Sequence, residues 1–392
     1  MVTPETNNVF QEKTILIVDD NPVNIFVIEK ILKQAGYQDL VSLNSAQELF
    51  EYIQFGEDSS RYNEIDLILL DIMMPEIDGL EVCRRLQKEE KFKDIPIIFV
   101  TALEDANKLA EALDMGAMDY ITKPINKVEL LARMRVALRL KSELNWHKEQ
   151  EENLRNELDL ATQVQRNLLS SPLREDYIKI EASYLPSFKL AGDMYYWYKI
   201  DENRYGIILL DVMGHGISAS LVCMFISSVL RETIKSLIDP ELVIKDLNKY
   251  MTLLHNENDD IPYYFTAIYL VVDTEKRTIE YVNAGHPSGY VLVDETNMFE
   301  LNHGSCAVGF FDEIKVKKTV IPFEKNAQIV LFTDGVLEAI ANDEFEAEEK
   351  LRTFTERKWG DLEGEIEGFY KEEQKKAQSD DMCLIMIQTN AK

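Results

Sequence analysis

The sequence predicts a protein of several domains: a doubly wound α/β domain, a long coiled-coil helix and an α+β sandwich. Residues 14–136 alternate short apolar β-rich runs with helix-period segments. Residues 138–170 are strongly polar and contain neither proline nor glycine. Residues 171–392 consist of β-rich runs with helical stretches grouped between them. The length of 392 residues is enough for two to three domains of ~150 residues each.

Composition and charge exclude several classes of protein. Hydrophobic residues make up 46% of the chain and charged residues 29%, which is the balance of a folded globular protein. The net charge of −28 would repel a phosphate backbone, so we expect no binding to nucleic acid. The four cysteines are dispersed without a CxxC pair, which is typical of reduced thiols in a cytoplasmic protein. The longest apolar run, residues 221–230, is shorter than the ~20 residues that span a bilayer, so we expect no membrane segment.

Five strands are predicted in the first domain, residues 13–137, after a flexible terminus at residues 1–12. The strands are expected at TILIVDD, VSLN, IDLILLD, IPIIFVTA and MDYITKP, with a helix from Pro22 to Gly36 after the first strand. Parallel strands of such a sheet present their carboxyl ends at one edge, where ligands bind. The polar residues at those ends are Asp19, Asp20, Asp71, Thr101 and Lys123.

These strand ends predict a site for a metal ion and a phosphoryl group. Three carboxylates repel one another unless a cation neutralises them, and oxygen ligands of this kind suit Mg²⁺. The Lys123 ammonium can pair with a carboxylate or a phosphoryl oxygen, and the Thr101 hydroxyl can hydrogen-bond a phosphoryl group. The arrangement suits acyl phosphate chemistry on one aspartate. The alternative is that each acidic residue only caps the helix that follows it.

Four motifs of this domain carry a resemblance to a known family: IVDDN (17–21), LLDIMMP (69–75), VTA (100–102) and TKP (122–124). They closely resemble the receiver domain of two-component response regulators, which has a flavodoxin-like fold. The resemblance implies a sensor histidine kinase as the partner that phosphorylates Asp71. It further implies Mg²⁺ binding by Asp19, Asp20, Asp71 and the Met73 carbonyl, and phosphate sensing by Thr101, Tyr120 and Lys123.

Residues 138–170 predict a coiled-coil helix, because a four-three spacing marks a seam along one face. Polar residues occupy three seam positions, so the pairing is weak and its register is adjustable, as in a switch. We expect a parallel homodimer. The alternative is a solitary amphipathic helix packed on one of the domains. The seam positions are Leu140, Leu144, His147, Glu151, Leu154, Leu158, Ala161, Gln165 and Leu168.

The last domain, residues 171–392, is predicted from the runs YIKIEASYLPS, DMYYWYKI, RYGIILLDV, YYFTAIYLVVD, RTIEYVNAGHPSGYVLV, KVKKTVIPF, AQIVLFTDG and MCLIMIQT. Helices are expected at Gly216–Lys235, Pro240–Asn256 and Asp361–Lys376. The acidic stretch Asp343–Glu373 is interpreted as a solvated helical face.

Aspartates recur beside glycine turns at the strand edges of this domain. Asp193 begins one strand, Asp211 ends another, Asp334 lies in a Thr-Asp-Gly turn, and Asp380 precedes the last strand. Glycines let the backbone approach metal ions while carboxylates supply charge, so the pattern suits a two-metal site that hydrolyses a phosphate ester directly. The scarcity of His and Cys nearby disfavours zinc. The alternative is that these Asp-Gly pairs only mark turns.

A second resemblance rests on AGDMYY (191–196), DVMGHG (211–216), NAGHP (283–287), TDGVLEA (333–339) and SDDM (379–382). In this order the motifs resemble the metal-dependent PPM-type serine/threonine phosphatases, in their bacterial SpoIIE and RsbU branch. ATQVQRNLLSSPL (161–173) likewise resembles the switch helix of that family. The resemblance implies two Mn²⁺ or Mg²⁺ ions. The implied ligands and catalytic residues are Asp193, Asp211, the Val212 carbonyl, Asp334 and Asp380, with Asp381 as the alternative to Asp380.

Two histidines of these motifs, His215 and His286, are candidates for a general acid, with a structural hydrogen bond as the alternative use. Asn283 is expected to tie its turn rather than contact substrate. The sequence departs from the family pattern at three positions, which affect rate or substrate choice more than metal binding: Ala191, Tyr196 and Cys383.

Together these parts predict a phosphatase under phosphorylation control, in which the phosphorylated Asp71 acts through the helix on the metal site. The resemblance implies that the substrate is a phosphoserine or phosphothreonine on a STAS-type anti-sigma-factor antagonist of a partner-switching pathway. The competing hypothesis is a phosphorylation-gated adaptor with a weakly active or inactive phosphatase fold, which the retained metal carboxylates argue against. A transcription factor would need a basic helix-turn-helix output, and the acidic second half does not provide one.

Overall fold

The computed structural model describes residues 13–53, 64–102, 106–254, 263–341, 343–370 and 378–391. The segment 1–12, for which flexibility is predicted, lies outside the described residues. Contacts divide the chain into two compact units, Met1–Leu154 and Arg155–Lys392.

The first unit follows the predicted alternation of strands and helices. Its elements are β1 Thr14–Val18, α1 Pro22–Gln34, β2 Leu40–Leu43, α2 Ala46–Tyr52, β3 Ile65–Leu70, α3 Gly79–Lys88, β4 Ile97–Thr101, α4 Ala106–Asp114, β5 Asp119–Thr122 and α5 Lys127–Arg166. Within the described residues the strands form one parallel sheet in the order β2-β1-β3-β4-β5. Apolar side chains are buried on both faces of this sheet, which confirms the doubly wound fold.

Local sequence signals fix the helix starts beside the carboxyl edge of the sheet. The side chain of Asn21 caps α1, and that of Asp78 caps α3. A Cβ at Gly79 would lie 2.1 Å from the backbone oxygen of Asp71. Glycine therefore allows α3 to begin directly against the end of β3.

Helix α5 is a single helix of 40 residues. It begins before residue 138, because its first turns complete the core of the first unit through the buried side chains of Leu130, Met134 and Leu138. Its residues 155–166 lie in the second unit. One element therefore belongs to both units.

The predicted seam along α5 needs two corrections. The Gln165 side chain is buried and hydrogen-bonds the backbone of Ala191 within its own unit, so it is not part of a seam. Leu168 lies beyond Arg166, where the helix ends. Three other seam residues expose large apolar side chains, with relative exposures of 50%, 38% and 53%: Leu140, Leu144 and Leu154.

The second unit is a sandwich of two sheets covered by helices, which confirms the predicted α+β class. The strands of one sheet are β8 Asp193–Lys199, β9 Arg204–Val212, β10 Phe265–Asp273, β11 Thr278–Ala284, β14 Gly304–Ser305 and β15 Thr319–Pro322. Those of the other are β6 Leu173–Arg174, β7 Ile178–Leu185, β12 Gly289–Val293, β13 Asn297–Leu301, β16 Asn326–Phe332 and β17 Met382–Asn390. The helices are α6 Ile217–Leu237, α7 Pro240–Thr252, α8 Asp334–Ile340, α9 Glu344–Glu356 and α10 Leu362–Glu367.

Three apolar clusters hold this unit together. One fills the space between the two sheets. A second packs α6 and α7 against the sheet of β8–β11. A third packs α8, α9 and α10 against the sheet of β12, β16 and β17. The end of β9 before α6 and the end of β16 before α8 lie at the same end of the sandwich, where Thr333 contacts Asp193. We call it the open end of the sandwich.

Helix α6 is, in the described part of the chain, long and apolar enough to cross a membrane by length and composition. Half of that stretch is buried within the fold. The buried side chains of Val222, Ile226 and Leu230 pack on the sheet that contains β9 and β10. This is the ordinary position of a core helix in a covered sandwich.

The acidic stretch Asp343–Glu373 differs from its predicted solvated face. Helix α9 buries Leu351 and Phe354 in the cluster on β12 and β16, because apolar residues recur there at helical spacing. Helix α10 occupies only the start of the predicted helix Asp361–Lys376, and residues 371–376 of that helix lie outside the described part of the chain.

The run RTIEYVNAGHPSGYVLV forms two strands, β11 and β12.

Candidate active sites

Three carboxylates meet at the carboxyl edge of the first sheet. Side-chain oxygens of Asp19, Asp20 and Asp71 all lie within 4.8 Å of one another, which is close enough to hold one metal ion. Asp19 and Asp71 are buried, whereas Asp20 is exposed. Carboxylates that close suit a hard cation such as Mg²⁺, so the residues present fit the ion that the resemblance implies.

Lys123 reaches this cluster from the end of β5. Its Nζ donates to Asp71 Oδ2 at 2.7 Å and to Asp19 Oδ2 at 2.8 Å. Burial raises the pKa of Asp71, and the charge of Asp19 adds to this, while the hydrogen bond and charge of Lys123 oppose it. An aspartate on which a phosphoryl group is added needs such a cation to balance the new charge.

The remaining predicted receiver residues surround the same edge. The Met73 N–H donates to Asp71 Oδ1 at 3.2 Å, so the backbone that carries the Met73 carbonyl is held against the cluster. Thr101 ends β4 and is fully buried. Tyr120 lies in β5, half-buried, with the guanidinium of Arg133 5.7 Å from its ring centre.

In the second unit, Asp193 and Asp211 are direct cross-strand partners at the ends of β8 and β9. Asp193 is buried, and its Oδ2 accepts a hydrogen bond of 2.8 Å from Oγ1 of Thr333, which directly follows β16 of the other sheet. Burial raises the pKa of Asp193 well above its ordinary value, and the charge of Asp211 adds to this. Burial, together with the charges of Asp334 and Asp380, raises the pKa of Asp211 to about 8. These aspartates therefore lie close enough to repel one another.

Asp334 and Asp380 approach the same region from the second sheet. Burial raises the pKa of Asp334, and Asp380 adds to this, while the Gly335 N–H opposes it. Burial also raises the pKa of Asp380, whereas the charge of the nearby His215 lowers it. In the first unit, three carboxylate oxygens lie within 4.8 Å of one another. Among the described residues, the aspartates of the second unit do not come together as closely as this. A wider spacing suits two ions rather than one.

Asp381 makes different contacts from its neighbour Asp380. Its Oδ1 accepts from the Ser187 N–H at 2.7 Å and from Ser187 Oγ at 2.9 Å, and its Oδ2 accepts from the Gly192 N–H at 2.8 Å. Both oxygens of this buried carboxylate are therefore occupied by protein groups. The half-buried Asp380 is the carboxylate better placed to bind a metal ion.

The Val212 carbonyl lies over Gly192, where a Cβ would come within 3.0 Å of it. Glycine at 192 therefore permits the close approach of the two strand ends. The four carboxylates and this carbonyl are oxygen donors, the set that Mn²⁺ and Mg²⁺ take. Their mutual repulsion is what bound cations would relieve, so the residues fit the implied ions.

The two histidines differ sharply. His215 is exposed and stacks on Phe188, with ring centres 5.0 Å apart. His286 is buried, and its Nδ1 lies 2.8 Å from Thr266 Oγ1. Burial lowers the pKa of His286 to about 3, so the ring is neutral and cannot be a general acid near neutral pH. The hydrogen bond is the use that the structure supports for His286.

Asn283 ties its turn, as predicted. Its Oδ1 accepts the His286 N–H at 2.8 Å, and its Nδ2 donates to the His286 carbonyl at 2.9 Å. At the departures from the family pattern, Cys383 is buried and donates its N–H to Thr333 Oγ1 at 3.0 Å. The ring of Tyr196 lies 5.4 Å from the guanidinium of Arg231.

Sequence reasoning missed four residues at this site: Gln165, Ser187, Thr266 and Thr333. Each of them is at least 20 residues away in the sequence from the residue that it hydrogen-bonds. No local spacing marks such a pair, although Thr333 directly precedes Asp334 in a quoted motif.

Comparisons with known proteins find relatives for both parts of the chain. The response regulator receiver domain family matches residues 15–135, and the family of stage II sporulation protein E (SpoIIE) matches residues 201–390. Phosphoserine phosphatase RsbP of Bacillus subtilis (strain 168) is 33% identical over 236 residues, which are 60% of this chain and 58% of that protein. The phosphate regulon transcriptional regulatory protein PhoB of Pseudomonas aeruginosa is 41% identical over 127 residues, 32% of this chain and 52% of that protein.

A solved structure shares the fold of the second unit. The SiaA-PP2C domain of Pseudomonas aeruginosa superposes with a TM-score of 0.52 at 20% identity and covers 62% of this chain and 98% of that one. The chain spans about half the length of the curated relatives it matches. Residues 15–135 are thus similar to response regulator receiver domains, and residues 201–390 are similar to the SpoIIE family.

Proposed function

We propose that this protein is a metal-dependent phosphoserine and phosphothreonine phosphatase whose activity depends on phosphorylation of Asp71. The observation that carries the proposal is the pairing of two intact acidic sites in one chain. One is the Asp19, Asp20, Asp71 and Lys123 cluster. The other is the set of mutually repelling aspartates at the open end of the sandwich.

At the phosphatase site, the residues that would hold two Mn²⁺ or Mg²⁺ ions are Asp193, Asp211, Asp334, Asp380 and the Val212 carbonyl. Bound ions of this kind neutralise phosphoryl oxygens and lower the pKa of a bound water. Hydrolysis would join the water oxygen to phosphorus and break the bond between phosphorus and the side-chain oxygen, which would take a proton from the water, giving inorganic phosphate and a free hydroxyl. Thr333 fixes the Asp193 carboxylate, and Asp381 fixes the Gly192 turn, so both orient the ligands without contacting substrate.

At the receiver site, Asp71 would accept a phosphoryl group from the phosphohistidine of a sensor kinase, whose phosphorus–nitrogen bond breaks as the acyl phosphate forms. Asp19, Asp20, Asp71 and the Met73 carbonyl would hold the Mg²⁺ ion. Lys123 pairs with the new phosphoryl oxygens, and Thr101 and Tyr120 respond to them. The helix that starts at Lys127 carries the response, because the same helix ends at Arg166, next to the turn that precedes Asp193.

The domain boundaries follow from this assignment: a receiver at 13–137, a linker and switch helix at 138–170 and a phosphatase domain at 171–392. We expect a homodimer through the exposed leucines of α5 and a cytoplasmic protein. The expected substrate is a phosphorylated STAS-type protein of a partner-switching pathway. Since the net charge of −28 repels a phosphoprotein at long range, recognition relies on local contacts.

The test is hydrolysis of a phosphoserine protein and of p-nitrophenyl phosphate by the full-length chain, with Mn²⁺, Mg²⁺ or a chelator. Each assay is run with and without beryllofluoride, which mimics a phosphoryl group on aspartate. Asp211→Ala removes a proposed ligand, and Asp176→Ala is its exposed control. Asp71→Asn removes the phosphoacceptor, and the exposed Asp114→Asn is its control.

We expect turnover that needs metal, is lost in Asp211→Ala, and responds to beryllofluoride only when Asp71 is present. Turnover that persists in Asp211→Ala would contradict the assigned site. If no substrate is hydrolysed in any state, the adaptor is the better description of the chain.

A further inference from the structure

Three aromatic rings are in contact at the surface of the second unit, those of Tyr264, Phe310 and Phe311. The rings of Tyr264 and Phe310 meet edge to face with their centres 5.4 Å apart, and those of Phe310 and Phe311 do so at 4.9 Å. Phe310 is 47% exposed, and Phe311 is exposed as well. We call these three residues the aromatic patch. Two of its rings therefore keep much of their apolar surface in contact with water.

The aromatic patch lies at the open end of the sandwich, because the strand pairing that places Asp211 continues into it. Met213, two residues after Asp211, donates its N–H to the Tyr264 carbonyl at 3.1 Å. The next residue, Phe265, exchanges two backbone hydrogen bonds with Val308, of 3.0 and 2.9 Å. Val308 belongs to the segment that carries the two phenylalanines. The patch is therefore next to the strand end that carries a proposed metal ligand.

A buried asparagine holds the segment that carries the phenylalanines. Asn248 Nδ2 donates to the carbonyls of Phe311 and Asp312, at 2.9 and 3.0 Å, and Asn248 Oδ1 accepts the Gly309 N–H at 2.7 Å. Gly309 has a φ of +86°, and a Cβ there would lie 2.7 Å from the Tyr263 carbonyl oxygen. Glycine is therefore required at this turn. The segment is fixed in place although its two phenylalanine rings are exposed.

The length of a phosphoserine side chain determines what covers the aromatic patch. One carbon and one oxygen atom separate the backbone of a phosphoserine from its phosphorus. A phosphoryl group that reaches Asp211 therefore brings the backbone that carries it to the rim of the open end. The residues on either side of the phosphoserine then lie on that rim, to which the aromatic patch belongs. A small phosphate ester has no such flanking residues.

The charges around the aromatic patch favour apolar flanking residues. Asp312 and Glu313 follow the two phenylalanines and are exposed, so acidic residues of a substrate would be repelled there. The net charge of −28 adds no long-range attraction for a phosphoprotein. Exposed aromatic rings gain free energy when apolar side chains cover them, because both surfaces leave water. Short-range apolar contact is therefore the attraction that this part of the rim offers.

We propose that Tyr264, Phe310 and Phe311 determine substrate specificity by contacting apolar residues that flank the phosphoserine or phosphothreonine of a protein substrate. The inference rests on the proposed phosphatase function and adds the chemistry by which a protein substrate is recognised. The patch acts on binding of the polypeptide and takes no part in the hydrolysis itself.

The test uses the full-length chain with Mn²⁺ and three substrates. Two are synthetic phosphoserine peptides that differ only in having leucine or glycine on both sides of the phosphoserine, and the third is p-nitrophenyl phosphate. The double variant Phe310→Ser with Phe311→Ser removes both exposed rings, and Phe310→Tyr with Phe311→Tyr keeps them. Phe299→Ser is the matched control, because Phe299 is 43% exposed and lies on β13 of the other sheet. We measure kcat and KM for each substrate, the Mn²⁺ Kd by calorimetry, and the thermal midpoint.

We expect wild-type kcat/KM to be about tenfold higher for the leucine peptide than for the glycine peptide, because the leucines cover the rings. The double serine variant should reduce this ratio to within about twofold, with the change in KM. Its kcat for p-nitrophenyl phosphate, its Mn²⁺ Kd and its thermal midpoint should stay near the wild-type values, because the rings are at the surface. The double tyrosine variant and Phe299→Ser should keep the wild-type ratio.

The inference is overturned if the wild type hydrolyses both peptides equally well, or neither of them, while it turns over p-nitrophenyl phosphate. It is also overturned if the double serine variant keeps the preference for leucine, or if Phe299→Ser loses it. A double serine variant that loses Mn²⁺ affinity or turnover of p-nitrophenyl phosphate would show that the rings support the metal site instead. A wild type without metal-dependent turnover of any substrate would overturn the proposed function together with this inference.

Discussion

The side chain of Gln165 makes two hydrogen bonds to the backbone of a single residue, Ala191. Gln165 Nε2 donates to the Ala191 carbonyl at 2.7 Å, and Gln165 Oε1 accepts the Ala191 N–H at 3.1 Å. The next residue, Gly192, is tied to Asp381, and Asp193 follows. The last turn of α5 is therefore fastened to the backbone that leads into the candidate phosphatase site.

Replacing Gln165 by Ala should loosen this turn. The buried N–H and carbonyl of Ala191 would both lose their partners, at a cost of about 1–3 kcal/mol for each unpaired group. We expect faster hydrogen exchange at the Ala191 amide and a weaker Mn²⁺ affinity in calorimetry. The exposed Gln163→Ala is the control on the same helix. Wild-type exchange at Ala191 in the Gln165 variant would contradict the assigned role.

Adjacent aspartates should respond oppositely to substitution. Asp380→Ala should weaken Mn²⁺ binding and abolish phosphatase activity with little change in the metal-free thermal midpoint. Asp381→Asn should lower that midpoint, because one oxygen that accepts from Ser187 or Gly192 is replaced by an amide donor. Calorimetric metal titration and thermal unfolding of both variants test this. A stable Asp381→Asn chain that has lost its metal affinity would reverse the assignment.

Without metal ions, the second unit should lose stability as the pH rises. The pKa of Asp211 in the folded chain is about 8, against ~3.9 in an unfolded one. Between these values the folded state holds a proton that the unfolded state has released, so raising the pH favours unfolding. Tryptophan fluorescence in a chelator should show a thermal midpoint that falls from pH 5 to pH 8, and Asp211→Asn should flatten that slope. Saturating Mn²⁺ should remove it. A midpoint that rises over this range would refute the proposal that these carboxylates are destabilised.

The exposed leucines of α5 should hold two copies of the chain together. Substituting Glu for Leu140, Leu144 and Leu154 places charges on that apolar face, and analytical ultracentrifugation should then give a monomer. The matched variant Leu160→Glu changes a residue that is 63% exposed and lies outside the seam, and it should leave the mass unchanged. A wild-type chain that is monomeric both with and without beryllofluoride would contradict the proposed homodimer.

The acidic cluster of the first unit and its lysine were predictable because these residues lie at strand ends of one parallel sheet, whereas Met73 and Tyr120 came only from the family resemblance. Asp19, Asp71 and Lys123 are far apart in sequence, but the topology of such a sheet brings carboxyl ends to one edge. The phosphatase aspartates were found through their glycine turns and through the family motifs. Their mutual arrangement depends on two sheets facing each other, which strand patterns do not specify.

Other features of the candidate site could not be predicted from the sequence, for physical reasons. Helical periodicity places Gln165 on a face, but it does not say whether that face meets a partner or the same chain. Adjacent residues such as Asp380 and Asp381 have different partners: among the described residues, Asp380 accepts only the Asp381 N–H through Oδ1, whereas both oxygens of Asp381 accept from other segments, and only the structure separates the two. Thr266 reaches Asp211 through cross-strand register, which is set by non-local pairing.

The position of β17 has a consequence for synthesis of the chain. This strand pairs with β16 on one side and with β7 on the other, and it directly follows the Asp380 and Asp381 pair. A nascent chain that still lacks it leaves β7 without its main neighbour and the open end of the sandwich short of a carboxylate. Since domains fold as units during translation, such an intermediate would be silent. The proposed phosphatase activity would therefore require β17 to have left the ribosome, so chains that stop before this strand would be inactive.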